Sequence, residues 1–304
     1  MAASNPATTG PASGPPRVGA LSRAPSAALV LGAIASVQFG SATATKLFAT
    51  IGPGGAVWLR LVFGTIILLA LSRPPLRLRS YTRRQLLLAG VFGLVLGFMN
   101  LSFYSAIHRI PLGIAVTLEF VGPLTVAVAG SRRRIDLLWV AIAAAGIIAL
   151  TQGDTNSLNA LGVAFALLAG ALWGTYIIVN ARLGQAFEGG SGLALAMCVG
   201  SVVILPFGIA QGGSHLLEPR SLALGAAVGL LSSAIPYSFE VEALRRIRPS
   251  VFGVLMSIEP AMAALAGFIV LGQGLGVRTL LGMGLVVIAS VGSARRAREA
   301  PVAV

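Results

Sequence analysis

The chain has 304 residues, 56% of them hydrophobic and only 10% charged, with a mean hydropathy of +0.89. Soluble domains carry about 25% charged residues, so this chain lacks the polar groups to cover a water-exposed surface. A soluble enzyme, a disordered chain and a collagen-like chain are excluded, and the net charge of +13 comes in short basic bursts between apolar runs, which suits loops beside anionic lipid rather than a nucleic-acid-binding face.

Residues 1–25 are rich in Ala, Ser, Gly and Pro, with Arg17 and Arg23 just before the first apolar run, and read as a disordered cytoplasmic tail. A cleaved signal peptide is the alternative. It fits poorly, because the stretch from Ala27 to Phe48 is too long for a signal core and contains Gln38 and Lys46. Apolar segments follow near 27–47, 54–72, 86–107, 111–130, 135–152, 158–180, 190–211, 221–244, 249–271 and 277–294, each close to the roughly 20 residues that span a bilayer as a helix. Residues 295–304 form a second cytoplasmic tail. The expected fold is an all-α polytopic membrane protein of ten transmembrane helices.

Basic residues orient these spans. One side collects Arg17 and Arg23, then Arg73, Arg77, Arg79, Arg83 and Arg84, then Arg132, Arg133, Arg134 and Arg182. Arg245, Arg246 and Arg248 join them, with Arg295, Arg296 and Arg298 near the end. The other side has only Lys46, Arg109, Arg220 and Arg278. The positive-inside bias therefore puts both termini in the cytoplasm. Cys198 lies in an apolar run, so it reads as a small buried hydrophobe, and no disulfide is possible with one cysteine.

A shift of 137 residues lays the chain on itself without gaps. Ala106-Ile107-His108-Arg109-Ile110 falls on Ala243-Leu244-Arg245-Arg246-Ile247, and Leu118, Pro123 and Gly130 fall on Leu255, Pro260 and Gly267. The paired prolines and unbroken register carry the inference, since chance matches of Ala, Gly and Leu are common in such a chain. Residues 26–152 and 153–294 are then two five-helix repeats. An odd number of spans inverts the second relative to the first, as in many alternating-access transporters.

An ionisable group inside a bilayer costs at least a few kcal/mol, so each one needs a reason. Glu119, Glu240, Glu242 and Glu259 fall within spans, as does Arg60. Glu119 precedes Pro123, and Glu259 directly precedes Pro260; a proline there bends a helix and frees backbone to line a cavity. A carboxylate in such a place binds a substrate ammonium or carries a proton, or else it is a structural, internally paired group. Glu242 is the weaker candidate, being nearest the basic cytoplasmic end. Arg60 lies roughly 9 Å from the outer helix end, where it binds a substrate carboxylate, snorkels, or pairs with one of the glutamates.

Polar residues also share helix faces. These are Gln38, Ser41, Ala42 and Thr45; Asn100 and Tyr104; Trp173, Tyr176 and Asn180; and Ser233, Tyr237 and Glu240. They line a central polar pocket, or they serve ordinary helix packing. The sequence shows no nucleophile–base pair, no metal-ligating cluster and no ATP-binding motif, so no catalytic role, cofactor or metal is expected.

Ile110-Pro-Leu-Gly-Ile-Ala-Val-Thr-Leu-Glu-Phe-Val-Gly-Pro123 followed by Ser131-Arg-Arg-Arg134 resembles the bacterial threonine/homoserine exporters of the drug/metabolite transporter superfamily, which are built from two EamA-type domains. Ile235-Pro-Tyr-Ser-Phe-Glu240 and Gly253-Val-Leu-Met-Ser-Ile-Glu-Pro-Ala261 resemble the matching part of their second half, and Arg60 in Trp-Leu-Arg-Leu-Val-Phe-Gly64 sits where the family tends to have Arg. The likeness spans residues 27–294, with one departure: Glu119 and Pro123 are separated, so the first half has no Glu-Pro pair. The resemblance implies an inner-membrane secondary transporter that exports a small amino acid, driven by proton entry. The alternatives are a broad-specificity drug or metabolite exporter of the same superfamily and, more remotely, an intramembrane enzyme or sensor.

Overall fold

Helix is the expected answer to long apolar runs that must satisfy their own backbone in lipid, and no strand occurs among the described residues. The computed structural model describes residues 24–72, 80–129, 134–151, 159–187, 191–244, 246–247, 252, 255–274 and 276–297. Nearly all of both tails lies outside this set, as do Arg17, Arg23, Arg73, Arg77, Arg79, Arg132, Arg133, Arg245, Arg248 and Arg298.

The helices in chain order are α1 Ser26–Ala44, α2 Phe48–Ser72, α3 Arg83–Ile107, α4 Leu112–Glu119, α5 Val121–Ala129, α6 Arg134–Thr151, α7 Ala160–Ala186, α8 Ser191–Gly212, α9 Pro219–Gly229, α10 Ile235–Leu244, α11 Glu259–Leu271 and α12 Val277–Ala297. Five stretches among the described residues are long and apolar enough to cross a membrane: Ser26–Leu71, Arg83–Ile107, Ala160–Ala186, Ser191–Leu217 and Pro219–Glu240. Shorter apolar helices cover Leu112–Val126, Leu138–Ala149, Glu259–Leu271 and Val277–Ala289. The first stretch, at 46 residues, would be about 70 Å long as one straight helix, far more than a hydrocarbon core of about 30 Å. It is interrupted by a 3-10 turn at Thr45–Leu47 and by Gly52, whose φ of 66° only glycine adopts freely. Past that break Pro53 needs no amide partner, and the Gly54 amide donates to Gln211 Oε1 of α8 at 2.7 Å.

Helix ends follow local chemistry. Thr82 and Gln85 form a reciprocal capping box that starts α3. Gly272, at φ 64°, ends α11 in the left-handed region. Packing is close where glycines meet backbone. A Cβ at Gly122 would lie 1.8 Å from the Gly170 carbonyl, and one at Gly93 2.4 Å from the Ala196 carbonyl. Such crossings let helices approach without a hydrophobic drive between them. Large apolar side chains such as Leu87, Val202, Phe268 and Leu281 face outward, the inverse of a water-soluble surface.

Helix α2 packs on α8 and α9, α3 on α7 and α8, and α6 on α12. Helix α4 packs on α11 and α7, while α1 packs on α10 and α11. Three expected spans differ from unbroken helices. The fourth divides at Phe120 into α4 and α5. A π-helical turn, Leu230–Ala234, interrupts the eighth. In the ninth, helical residues 252, 255 and 256 are separated by a turn at 257–258 from the helix Glu259–Leu271, and Pro260 stands in the first turn of that helix.

Candidate functional site

The π turn organises one wall of the interior. Ile235 bonds five residues back to the Leu230 carbonyl, and Pro236 has no amide, so the carbonyls of Leu231 and Ser232 lose their usual α-helical partners. Two side chains from other helices take them. Ser36 Oγ donates to the Leu231 carbonyl at 2.6 Å, and Arg60 Nη2 donates to the Ser232 carbonyl at 3.0 Å. Arg60 is buried, with Nη1 3.4 Å from the Tyr104 hydroxyl and Cζ 5.6 Å from the centre of that ring. Among the described residues no ion pair joins Arg60 to a carboxylate. Of the readings open for Arg60, neither snorkelling nor a glutamate pair is seen among the described residues: the guanidinium is buried and rests on neutral acceptors.

The carboxylates gather nearby. Glu119 closes α4 and interacts electrostatically with both Glu259 and Arg60, while Glu259 interacts in the same way with Glu240. Residues far apart in sequence thus come within electrostatic reach of one another. The Glu119 carbonyl would accept from residue 123, but Pro123 has no amide; Gly170 of α7 packs against that carbonyl, where its own Cβ would come within 2.6 Å. Glu242 sits apart and pairs with Arg246 one turn on.

Across the α1–α11 junction Gln38 Nε2 donates to Glu259 Oε1 at 3.0 Å. Gln38 and Ser41 share a face of α1, and both are buried, as is Glu259. Gln38 Oε1, Ser41 Oγ, Ser232 Oγ and Glu259 Oε2 have no hydrogen-bond partner. An orphaned buried acceptor costs about 1–3 kcal/mol, so a cluster of them marks a place built for something other than packing. Thr45 donates to the Ala42 carbonyl, which accounts for it locally.

The remaining stripe residues divide. Asn100 is buried and donates to the Leu96 carbonyl of its own helix, one turn from Tyr104. Trp173 stands edge-on to Phe120, ring centres 5.2 Å apart, beside the α4–α5 break. Tyr176 stacks on Phe92 at 4.9 Å, in an apolar cluster with Val179 and Leu183. Asn180 is exposed. Ser233 is buried against Gly64. Tyr237 lies in α10, with its side chain outside the described residues. Ser36 and the π-turn carbonyls are interior features that sequence reasoning missed; the signal was Pro236 following a run of small polar residues. No group of three or more His, Cys, Asp or Glu able to hold a metal ion occurs among the described residues.

The arrangement offers a cation partner, an anion partner and unpaired acceptors in one interior region. Comparison with known proteins points the same way. Residues 160–295 match the EamA-like transporter family. The threonine/homoserine exporter RhtA of Escherichia coli (strain K12) is 42% identical over 274 residues, covering 89% of this chain and 92% of that protein. RhtA of Salmonella typhimurium (strain LT2) is 42% identical over 276 residues, with 90% and 92% covered. The uncharacterized transporter YwfM of Bacillus subtilis (strain 168) is 24% identical over 65% of this chain and 71% of that protein. One solved crystal structure shares the fold with a TM-score of 0.59 at 16% identity, over 90% of this chain and 98% of that chain. RhtA and YwfM are named as exporters and a transporter, not as enzymes, and this chain belongs to the EamA-like transporter family.

Proposed function

We propose that the protein is an inner-membrane secondary transporter that exports small amino acids of the threonine and homoserine type in exchange for protons, by alternating access to a central polar site. The observation that carries this reading is the interior array of Arg60 with Glu119, Glu240 and Glu259 in a chain so similar to threonine/homoserine exporters. A free amino acid is a zwitterion, and such an array presents a partner to each of its charges. Among the described residues Arg60 Nη1 is held by a long contact to Tyr104, so it can turn to a substrate carboxylate while Nη2 keeps the Ser232 carbonyl.

Ten crossings in two inverted repeats, with both termini cytoplasmic, complete the proposal. Its support is that exchanging the halves by 137 residues maps the packing onto itself. The α3–α7 contact falls on α9 and α10 with α1, α3–α8 on α9 and the π turn with α2, and α5–α7 on α11–α1, while α2–α8 and α6–α12 each fall on themselves. A pseudo-twofold axis in the membrane plane produces this pattern. The test is reconstitution in liposomes: labelled threonine should exchange with internal threonine and be driven by an imposed pH gradient. Absence of both activities refutes the proposal.

A further inference from the structure

The α1–α11 junction carries more detail than a general polar site. Gln38 Oε1, Ser41 Oγ and Glu259 Oε2 are three oxygens without a hydrogen-bond partner, on side chains that are 1%, 0% and 8% exposed. The Gln38 amide nitrogen donates to Glu259 Oε1 at 3.0 Å, so two of the three side chains are joined directly and each keeps one oxygen without a partner. Ser41 is one helical turn from Gln38, on the same face. Ser232 Oγ is also unpartnered, but it rests on Gly40, towards the π turn.

Each of these three oxygens accepts hydrogen bonds, and one belongs to a carboxylate. We infer that together they are the subsite for the substrate's α-ammonium group, one oxygen for each of its three N–H bonds. The inference rests on the exporter reading above and refines it. An ammonium with three hydrogens satisfies the three orphaned acceptors and sets its charge against Glu259, leaving the carboxylate end of the molecule for Arg60. A neutral amide, an alcohol or a carboxylate brings too few donors, and a more substituted ammonium leaves an acceptor unpaired. The subsite therefore selects a primary amine by counting its hydrogens.

The experiment measures exchange of labelled threonine in liposomes containing the full-length chain. The competitors are threonine, N-methylthreonine, N,N-dimethylthreonine and 2,3-dihydroxybutyrate, which offer three, two, one and no ammonium hydrogens. The expected result is a stepwise loss of competition, about tenfold for each hydrogen removed. Ser41→Ala removes one acceptor, so it should weaken competition by threonine about tenfold while changing that by N-methylthreonine little. Steric exclusion of the methyl group predicts instead that Ser41→Ala weakens both alike, and that outcome overturns the inference. Equal competition by threonine and N-methylthreonine at the parent protein overturns it without any variant, so it stays testable if Ser41→Ala fails to insert. A requirement for Na+ with no discrimination among the amines assigns the oxygens to an ion and also overturns it. No threonine exchange by the parent protein refutes the exporter reading itself.

Discussion

A guanidinium buried among apolar helices must find acceptors for its N–H groups, and Arg60 has found a carbonyl and a phenol. Lys at this position keeps the charge but not the planar fork that reaches two acceptors in different directions. Arg60→Lys is therefore expected to reach the membrane and to raise the half-saturating threonine concentration about tenfold or more, measured by exchange in liposomes. The carboxylates call for a different measurement. Replacing Glu119, Glu240 or Glu259 with Gln keeps the size and removes the proton site, so at least one of the three variants should lose pH-gradient-driven transport yet retain exchange. If all three respond to the gradient like the parent protein, these carboxylates are structural and the coupling mechanism is wrong.

Elements meet here through glycine, which makes their tolerance for a methyl group predictable. At Gly122 a Cβ would strike the Gly170 carbonyl, a backbone atom that cannot step aside without parting α5 from α7. Gly122→Ala should destabilise the protein by about 1–3 kcal/mol, read as a lower melting temperature in detergent. Gly184, in the exposed part of α7, would meet nothing within 4 Å. Gly184→Ala should raise stability by up to about 1 kcal/mol, the difference in helix propensity. The π turn is an element-scale feature as well. It frees carbonyls that α1 and α2 then grip through Ser36 and Arg60, tying three helices together at one point.

At the scale of the whole molecule, the outward-facing Leu, Val, Ile and Phe side chains and the glycine-mediated crossings describe a helix bundle in lipid. Its orientation rests on charge, because arginines cross a bilayer poorly during insertion. Reporter fusions at Asp154 and Gly213 should report the periplasm, and one at Arg79 the cytoplasm. A cytoplasmic signal at Asp154 would break both the topology and the inverted repeat.

The sequence by itself determined that the chain is a helical membrane protein and where its long apolar helices lie, because apolar length is a property of each segment alone. It also exposed Arg60 and the interior glutamates, since a charge in an apolar run stands out without any knowledge of its neighbours. Prolines were visible too, but their effect was not: Pro236 lies beside a π turn, whereas Pro260 opens a helix. Only the tertiary structure decided how each helix is rotated about its axis and which helices cross. That rotation sends Asn180 outward while Asn100 turns inward, although both sit on plausible polar stripes. Crossing brings Gln38 to Glu259 over 221 residues of separation and gives Arg60 a carbonyl rather than a carboxylate. Such pairings depend on close packing between distant surfaces, which composition and local periodicity do not encode.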